Sequence, residues 1–294
     1  MIRNLRASIG VLMIAGLTAC TAISAPRGPS TDNFLRVVSW NIEHLGEAGE
    51  GCVPRTEAEL LAIADYVRSL DADVISFQEV ASEAAAQAVF PASEWRLFVS
   101  GRVYDAPQPH CRQDPSRRMG HMRTGFAVKR GITAELQPEL SSLGDTAFRA
   151  NDEPHGVDIK VTVGGETVRM LSVHLTSGCA SDEERTKPAC AALFSQAPAL
   201  RSWTEARSEK GEAWLLAGDF NRHWQAGDAF WIAAVGESVQ TLQVASHSVG
   251  AVDHLLLSPG LFELDLQKVE PQVSATDLGL SDHEPVIAEL RSLP

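Results

Sequence analysis

The sequence holds no CxxC pair, no long apolar run beyond its first 25 residues, no internal repeat, no low-complexity block and no surplus of basic charge. Each absence removes a class of function. Without CxxC spacing, a structural zinc site built on paired cysteines has no scaffold. Without a second long apolar run, no further transmembrane segment is expected. The shortage of base is marked, with 25 Lys and Arg against 38 Asp and Glu and a formal charge of -13. Such a chain does not grip long nucleic acids through bulk charge, so any phosphate it binds must be held locally. What remains is ordinary for a globular protein. The 294 residues are 44% hydrophobic and 21% charged, which suits one large core and neither disorder nor a coiled coil.

The N-terminus differs in kind. Arg3 and Arg6 precede the apolar run "IGVLMIAGLTA", and "LTAC" ends at Cys20. A charged start, a short apolar stretch and small residues at the end read as a secretory signal over residues 1–19, too short to span a bilayer. "LTAC" resembles a bacterial lipobox, which makes Cys20 the expected lipid acceptor; ordinary signal cleavage near Ala25 is the competing reading. Residues 20–33 read as a flexible tether and 34–294 as the globular domain. Loss of residues 1–19, which carry two arginines and no acid, takes the formal charge from -13 to -15. The expected location is the cell envelope, with membrane contact only through the lipid.

Cys52, Cys111, Cys179 and Cys190 remain, an even number in a chain read as exported, so two disulfides are expected. Of the three connectivities, Cys179 to Cys190 is favoured because the two are close in sequence, and Cys52 to Cys111 follows by elimination.

Along the chain, "FLRVVSWNIEHL" (34–45) reads as a strand and "RTEAELLAIADYVRSL" (55–70) as a helix. Thr56 and Glu59 form its capping box, and Leu60, Ile63, Ala64 and Val67 recur at helical spacing. "DADVISFQEV" (71–80) and "EWRLFVSG" (94–101) are strands, followed by an irregular segment over 102–123. "TGFAVKRG" is another strand, and "VDIKVTVGGETVRMLSVHL" is a hairpin turning at Gly164 and Gly165. A helix over 188–208, the strand "AWLLAGDFN", a short helix near 226–235 and strands at "VDHLLLSP" and "SDHEPVIAEL" complete the chain. Helices alternate with strands, but the hairpins argue against a purely parallel sheet.

The polar residues that interrupt these strands fall near strand ends. Asn41 and Glu43, Ser172 and His174, and Asp219 and Asn221 are each two apart, which places each pair on one face of its strand. Glu79 closes "ISFQEV", Asp253 opens "DHLLLS", and Asp282 with His283 opens the last strand. Each alone has a plain explanation as a cap, a turn residue or a solvated histidine. Their order together does not.

In that order, "SWNIEHL", "SFQEV", "SVHLTS", "AGDFN", "VDHLLLS" and "SDHEPV" resemble the endonuclease/exonuclease/phosphatase superfamily of metal-dependent phosphoesterases, from about Leu35 to Leu290. The resemblance implies an α/β fold, a four-layer α-β-β-α sandwich of two packed mixed β-sheets, with the active site at the edge where strand ends gather. It also implies that Asp253 orients His283 and favours its charged form beside the phosphate. Glu43 and Asp282 match positions of further metal ligands, and Arg149 in "FRANDEP" resembles a substrate-side arginine.

The chemistry of the residues agrees. Phosphodiester cleavage needs a cation on the phosphoryl oxygens, an oriented water and a protected leaving oxygen. Carboxylate and amide oxygens suit Mg²⁺ or Mn²⁺, with Glu79 as principal ligand and Asn41 beside it. Asp219 takes a proton from the attacking water or orients it, Asn221 holds that water or a phosphate oxygen, and His174 serves a phosphoryl or leaving oxygen. Gly218 lets backbone approach closely. His254, facing opposite to Asp253, reads as structural.

The segment 102–123 carries Arg102, Arg112, Arg117, Arg118 and Arg123. Most are read as a solvated loop, with Arg117 and Arg118 taken as a local phosphate clamp. The expected partner is a phosphodiester, nucleic acid first, met by a monomeric nuclease. Rivals are a phosphatase or phospholipase C-type enzyme acting on inositol phosphates or sphingomyelin, and a non-catalytic binding lipoprotein. The last would be expected to lack some of Glu79, Asp219, Asn221, Asp282 or His283, and none is missing.

Overall fold

In a computed structural model, residues 34–104, 107–146, 153–236, 239, 241–248, 250–265 and 273–293 are described. Cys20 and Arg149 lie outside them, as do the signal and the tether.

Two six-stranded mixed sheets face each other. The first contains β1 (Phe34–Leu45), β2 (Val74–Val80), β3 (Trp95–Val99), β4 (Arg123–Lys129), β11 (Phe262–Asp265) and β12 (Val286–Ser292), in the order β11-β12-β1-β2-β4-β3. The second contains β5 (Ala134–Leu136), β6 (Val157–Val163), β7 (Glu166–His174), β8 (Ala213–Asp219), β9 (Gln243–Ser246) and β10 (Asp253–Leu257), in the order β5-β6-β7-β8-β10-β9. Each sheet has a parallel pair at its centre, β1 with β2 and β7 with β8, and antiparallel pairs elsewhere. A parallel connection needs a crossover. α1 (Glu57–Ser69) supplies it in the first sheet and α3 (Pro188–Ser208) in the second.

Three cores result. Leu35, Val37, Val74, Met170, Leu215 and Leu255 fill the space between the sheets. The outer face of the first sheet packs Val38, Trp40 and Ile75 against α1 and the short α2 (Glu83–Val89). The second sheet packs Leu171, Trp214 and Leu216 against α3 and α4 (Ala229–Val235). This is the four-layer sandwich. The predicted capping box is present, with the Glu59 N–H donating to Thr56 Oγ1 and Thr56 N–H to Glu59 Oε2. Not expected from the sequence are α2, which is two turns long, and the three shortest strands, β5, β9 and β11, whose windows hold too few residues for a period to show.

The face between the sheets changes character along its length. Reading every second residue, β1 runs Leu35, Val37, Ser39, Asn41; β7 runs Val168, Met170, Ser172, His174; and β8 runs Ala213, Leu215, Ala217, Asp219. At the midpoint Ser76 Oγ donates to Ser172 Oγ across the sheets at 2.8 Å, which satisfies two buried hydroxyls at once. A core that is aliphatic at one end thus becomes hydrogen-bonded and then ionisable at the other. One correction follows at the C-terminus, where Asp282 and His283 do not open the last strand. Pro285 lacks a ladder donor, and β12 begins only at Val286.

Two disulfides join Cys52 to Cys111 and Cys179 to Cys190, the pairing chosen from the sequence. Two such bonds suit an oxidising compartment. Among the described residues no helix is long and apolar enough to cross a membrane. The first bond spans 59 residues and the second 11, so chain entropy assigns them about 4 and about 3 kcal/mol. Urea unfolding should find the Cys52→Ala/Cys111→Ala pair less stable than the Cys179→Ala/Cys190→Ala pair. The reverse order would show that native packing around the shorter loop outweighs loop closure.

Candidate active site

The second sheet builds half of the site by register alone. His174 is the partner of Asp219, and Asp219 of Asp253, so three neighbouring strands set the three side chains in one row. Close strand approach requires Gly218. A Cβ there would lie 1.9 Å from the carbonyl oxygen of Val173, at a φ of +156°. Beyond the strand, Asn221 takes φ +51° and gives its N–H to Asp219 Oδ1 at 2.8 Å, while its side chain donates to the Leu175 carbonyl.

The first sheet delivers the rest through irregularities. Alternation from Val74 through Ser76 and Gln78 would send Glu79 to the helix side. A bulge between Phe77 and Val80, with Glu79 at φ +61°, turns its carboxylate into the site instead. β1 is likewise irregular after Asn41, where Glu43 and His44 both have positive φ. Buried Arg55 pins this bend by donating to the carbonyls of Glu43, Ile42 and Leu280. The loop carrying His283 is tied to β1 by Ser281, which donates to the Asn41 carbonyl at 2.7 Å, and by Trp40, whose indole donates to the His283 carbonyl.

The side chains meet around Asn41. Its Nδ2 donates to Glu79 Oε1 and to Asp219 Oδ2, both at 3.1 Å, joining the two sheets. His174 Nε2 lies 3.7 Å from Glu79 and 3.6 Å from Asp219. His283 Nδ1 meets Asp253 Oδ2 at 2.7 Å, and its Nε2 lies 3.9 Å from Asp219. Burial opposes the charge on Glu79, but His174, His44 and hydrogen bonds from Asn41 and the His44 N–H hold its carboxyl below the usual range. Burial and then the charge of Asp219 push Asp253 up to about 6. Burial also opposes a charge on His283, yet the bond to Asp253 prevails and its pKa rises to about 10. At neutral pH the pair is therefore an imidazolium against a carboxylate.

These groups open into a cleft of about 670 Å³ lined also by His110, Arg112, Met119, Met122, Glu153 and Leu175. Beside it, Glu43, Glu79 and Asp282 line a smaller recess of about 240 Å³. Burial, and then Asp282 across the recess, raise the pKa of Glu43. Three gathered carboxylates, offset by Arg55 at 3.8 Å from Glu43, suit a divalent cation bound through oxygen. A second set, Asp219, Asp253 and His283, brings one ligand atom each within 4.8 Å of the others. There the His283 nitrogen facing Asp253 already carries a hydrogen bond, which makes an ion pair the simpler account of that trio.

A profile of the Endonuclease/Exonuclease/phosphatase family matches residues 38–283. The chain belongs to that family. No curated protein matches it in sequence. Among solved structures it is similar to the human Nocturnin catalytic domain with bound sulfate, at 14% identity and a TM-score of 0.59, over 89% of this chain and 96% of that one. Truncated TDP2 of Caenorhabditis elegans is 16% identical, with a TM-score of 0.54 over 88% and 98% of the two chains. An endonuclease/exonuclease/phosphatase family protein of Bacteroides thetaiotaomicron is 17% identical, with a TM-score of 0.55 over 89% and 98%. At these identities the likeness is one of fold.

Family membership makes this a phosphoesterase-type site, and the structure brings together Asn41, Glu79, His174, Asp219, Asn221, Asp253 and His283 as residues of one cleft or its immediate support. Glu43 and Asp282 belong to the adjoining recess. His254 is buried, its Nε2 meeting the Arg222 carbonyl at 2.8 Å, and burial lowers its pKa to about 4. Arg117 and Arg118 depart from the expected clamp. Arg117 donates twice to the Gly49 carbonyl and Arg118 to the Gln108 carbonyl, and neither lines the cleft. An arginine fork in a long loop satisfies free carbonyls as readily as phosphate. The sequence reading passed over His44, which separates cleft from recess, and Ser281, which fixes the His283 loop. The serine of "SDH" was in view, but nothing local showed its tie to β1.

Proposed function

We propose that the protein is an exported, divalent-cation-dependent phosphodiesterase acting on nucleic acid. The observation that supports this most directly is the convergence of Glu79 and Asp219 from opposite sheets on one asparagine, with two histidines within 4 Å of Asp219. Glu79, with Glu43 and Asp282 across the recess and Asn41 beside it, would hold Mg²⁺ or Mn²⁺; Asn41 would offer its Oδ1, which now accepts from the Glu43 N–H, while its Nδ2 keeps Glu79 and Asp219 in place. The ion supplies charge neutralisation at the phosphoryl oxygens.

The chain's own residues account for the proton movements. Asp219, fixed by Asn41 and the Asn221 N–H, accepts a proton from the attacking water while the new P–O bond forms. The imidazolium of His283, held by Asp253, faces the growing charge on a phosphoryl oxygen. The opposite P–O bond breaks, and His174 gives the departing oxygen its proton. Asn221 keeps the water or a phosphate oxygen in place. In this reading Cys20 carries the lipid anchor, Arg149 is a substrate contact, and the enzyme works as a monomer.

Bis-p-nitrophenyl phosphate hydrolysis tests the chemistry. Turnover should require added Mg²⁺ or Mn²⁺ and vanish on chelation. Turnover that survives exhaustive chelation would exclude the cation.

A further inference from the structure

Resting on the phosphodiesterase reading, we propose that Arg112 binds a phosphate beyond the scissile one and that the substrate is a single-stranded nucleotide end, not a duplex. Of the five arginines in 102–123, three hold backbone carbonyls and Arg102 is buried and does not line the cleft. Arg102 is buried beside the Tyr104 ring, Arg123 donates to the carbonyls of Ser100 and Arg102, and Arg117 and Arg118 hold backbone as described. Arg112 is exposed, makes no ion pair or hydrogen bond among the described residues, and lines the cleft. Among the described residues that line the cleft it is the one Lys or Arg.

Its neighbours hold it there. Cys111 is bonded to Cys52, the Cys111 N–H donates to the Arg117 carbonyl at 3.0 Å, and the Met119 N–H to the Pro109 carbonyl at 2.9 Å. The guanidinium of Arg117 fastens the same turn to Gly49. Arg112 therefore stands on a cross-linked turn over the cleft, and less freedom is lost when it binds.

The scarcity of arginine and lysine bears on the kind of substrate. Duplex-binding proteins neutralise phosphates along a long stretch of backbone, and among the described lining residues this cleft offers one arginine besides its histidines. Its volume of about 670 Å³ is that of a small-ligand pocket. Met119, Met122 and Leu175 give the walls a soft apolar surface, suited to the face of an unstacked base. One phosphate beyond the scissile bond and one flat base describe a short single strand.

The test compares dithymidylate carrying a terminal phosphate, at either end, with the same dinucleotide lacking it and with bis-p-nitrophenyl phosphate. Arg112→Ala should raise KM for a phosphorylated dinucleotide about tenfold or more, as for loss of a charged hydrogen bond. It should leave kcat and both other substrates nearly unchanged, and Arg112→Lys should recover part of the loss. Log affinity of wild type for the phosphorylated dinucleotide should fall with log salt at a slope of about -0.7, the value for one contact to a single strand. A single-stranded oligonucleotide should be cut far faster than supercoiled plasmid. Equal effects of Arg112→Ala on both dinucleotides, or a plasmid cut as fast as the single strand, would overturn the proposal. So would a wild type that hydrolyses bis-p-nitrophenyl phosphate and neither dinucleotide. A wild type inert on bis-p-nitrophenyl phosphate would instead strike the phosphodiesterase reading.

Discussion

Replacing His283 with alanine should lower kcat on bis-p-nitrophenyl phosphate by about 10²- to 10⁴-fold, the usual range for a positioned acid or base. The histidine is placed by three independent contacts: Asp253 on its Nδ1, Ser281 on its backbone N–H and Trp40 on its carbonyl. Alanine keeps the two backbone contacts, so the loop stays in place and the loss reports the imidazolium. The same variant has a signature in stability. His283 is raised to about 10 from an ordinary value near 6.5, so the folded state binds its proton more tightly. The stability this contributes is fully present below about pH 6.5 and is lost as pH rises through about 10. Thermal unfolding of the cation-free protein should therefore decline from pH 7 to 10 in wild type, and more shallowly in His283→Ala. Parallel curves would mean that the Asp253 pair does not hold the proton, and unaltered turnover would remove His283 from the mechanism.

Asp219→Asn should reduce kcat by about 10²-fold or more, since an amide cannot accept the proton of water. Asparagine nearly matches aspartate in shape, and Asp219 is almost wholly buried, so packing is retained. Its charge also raises the pKa of Asp253, and removing it relieves that repulsion. The variant also loses one of the bonds accepted from Asn41 and the Asn221 N–H, so the melting temperature should change little in either direction. An inactive variant that unfolds well below wild type would trace the loss to structure, and a fully active one would require another base.

Which parts of the site were legible in the sequence follows from geometry. His174, Asp219 and Asp253 obey strand alternation and chain register, and a period of two predicts such residues well. Glu79 was recognisable as an acid after an apolar strand, but alternation points it to the wrong face, and only the bulge reverses that. Asp282 and His283 read as the opening of the last strand but belong to the loop before it, because Pro285 delays the ladder. The arginines show the deeper limit. Arg112, Arg117 and Arg118 are indistinguishable as letters, and which one is free depends on whether Gly49 and Gln108 offer a carbonyl nearby. That is decided by chain segments many residues away.

Of the five described residues other than glycine with positive φ, four are Glu43, His44, Glu79 and Asn221. A left-handed conformation costs an ordinary residue about 1–2 kcal/mol, less for asparagine. Fold stability and catalysis therefore pull in opposite directions at this edge of the molecule. Glycine at 43 or 79 would relax the backbone while deleting a carboxylate assigned above to the proposed cation. A library sorted by heat resistance alone would collect such glycines and discard the enzyme with them, whereas one sorted by turnover would keep the distortion and have to seek its stability in the helical layers.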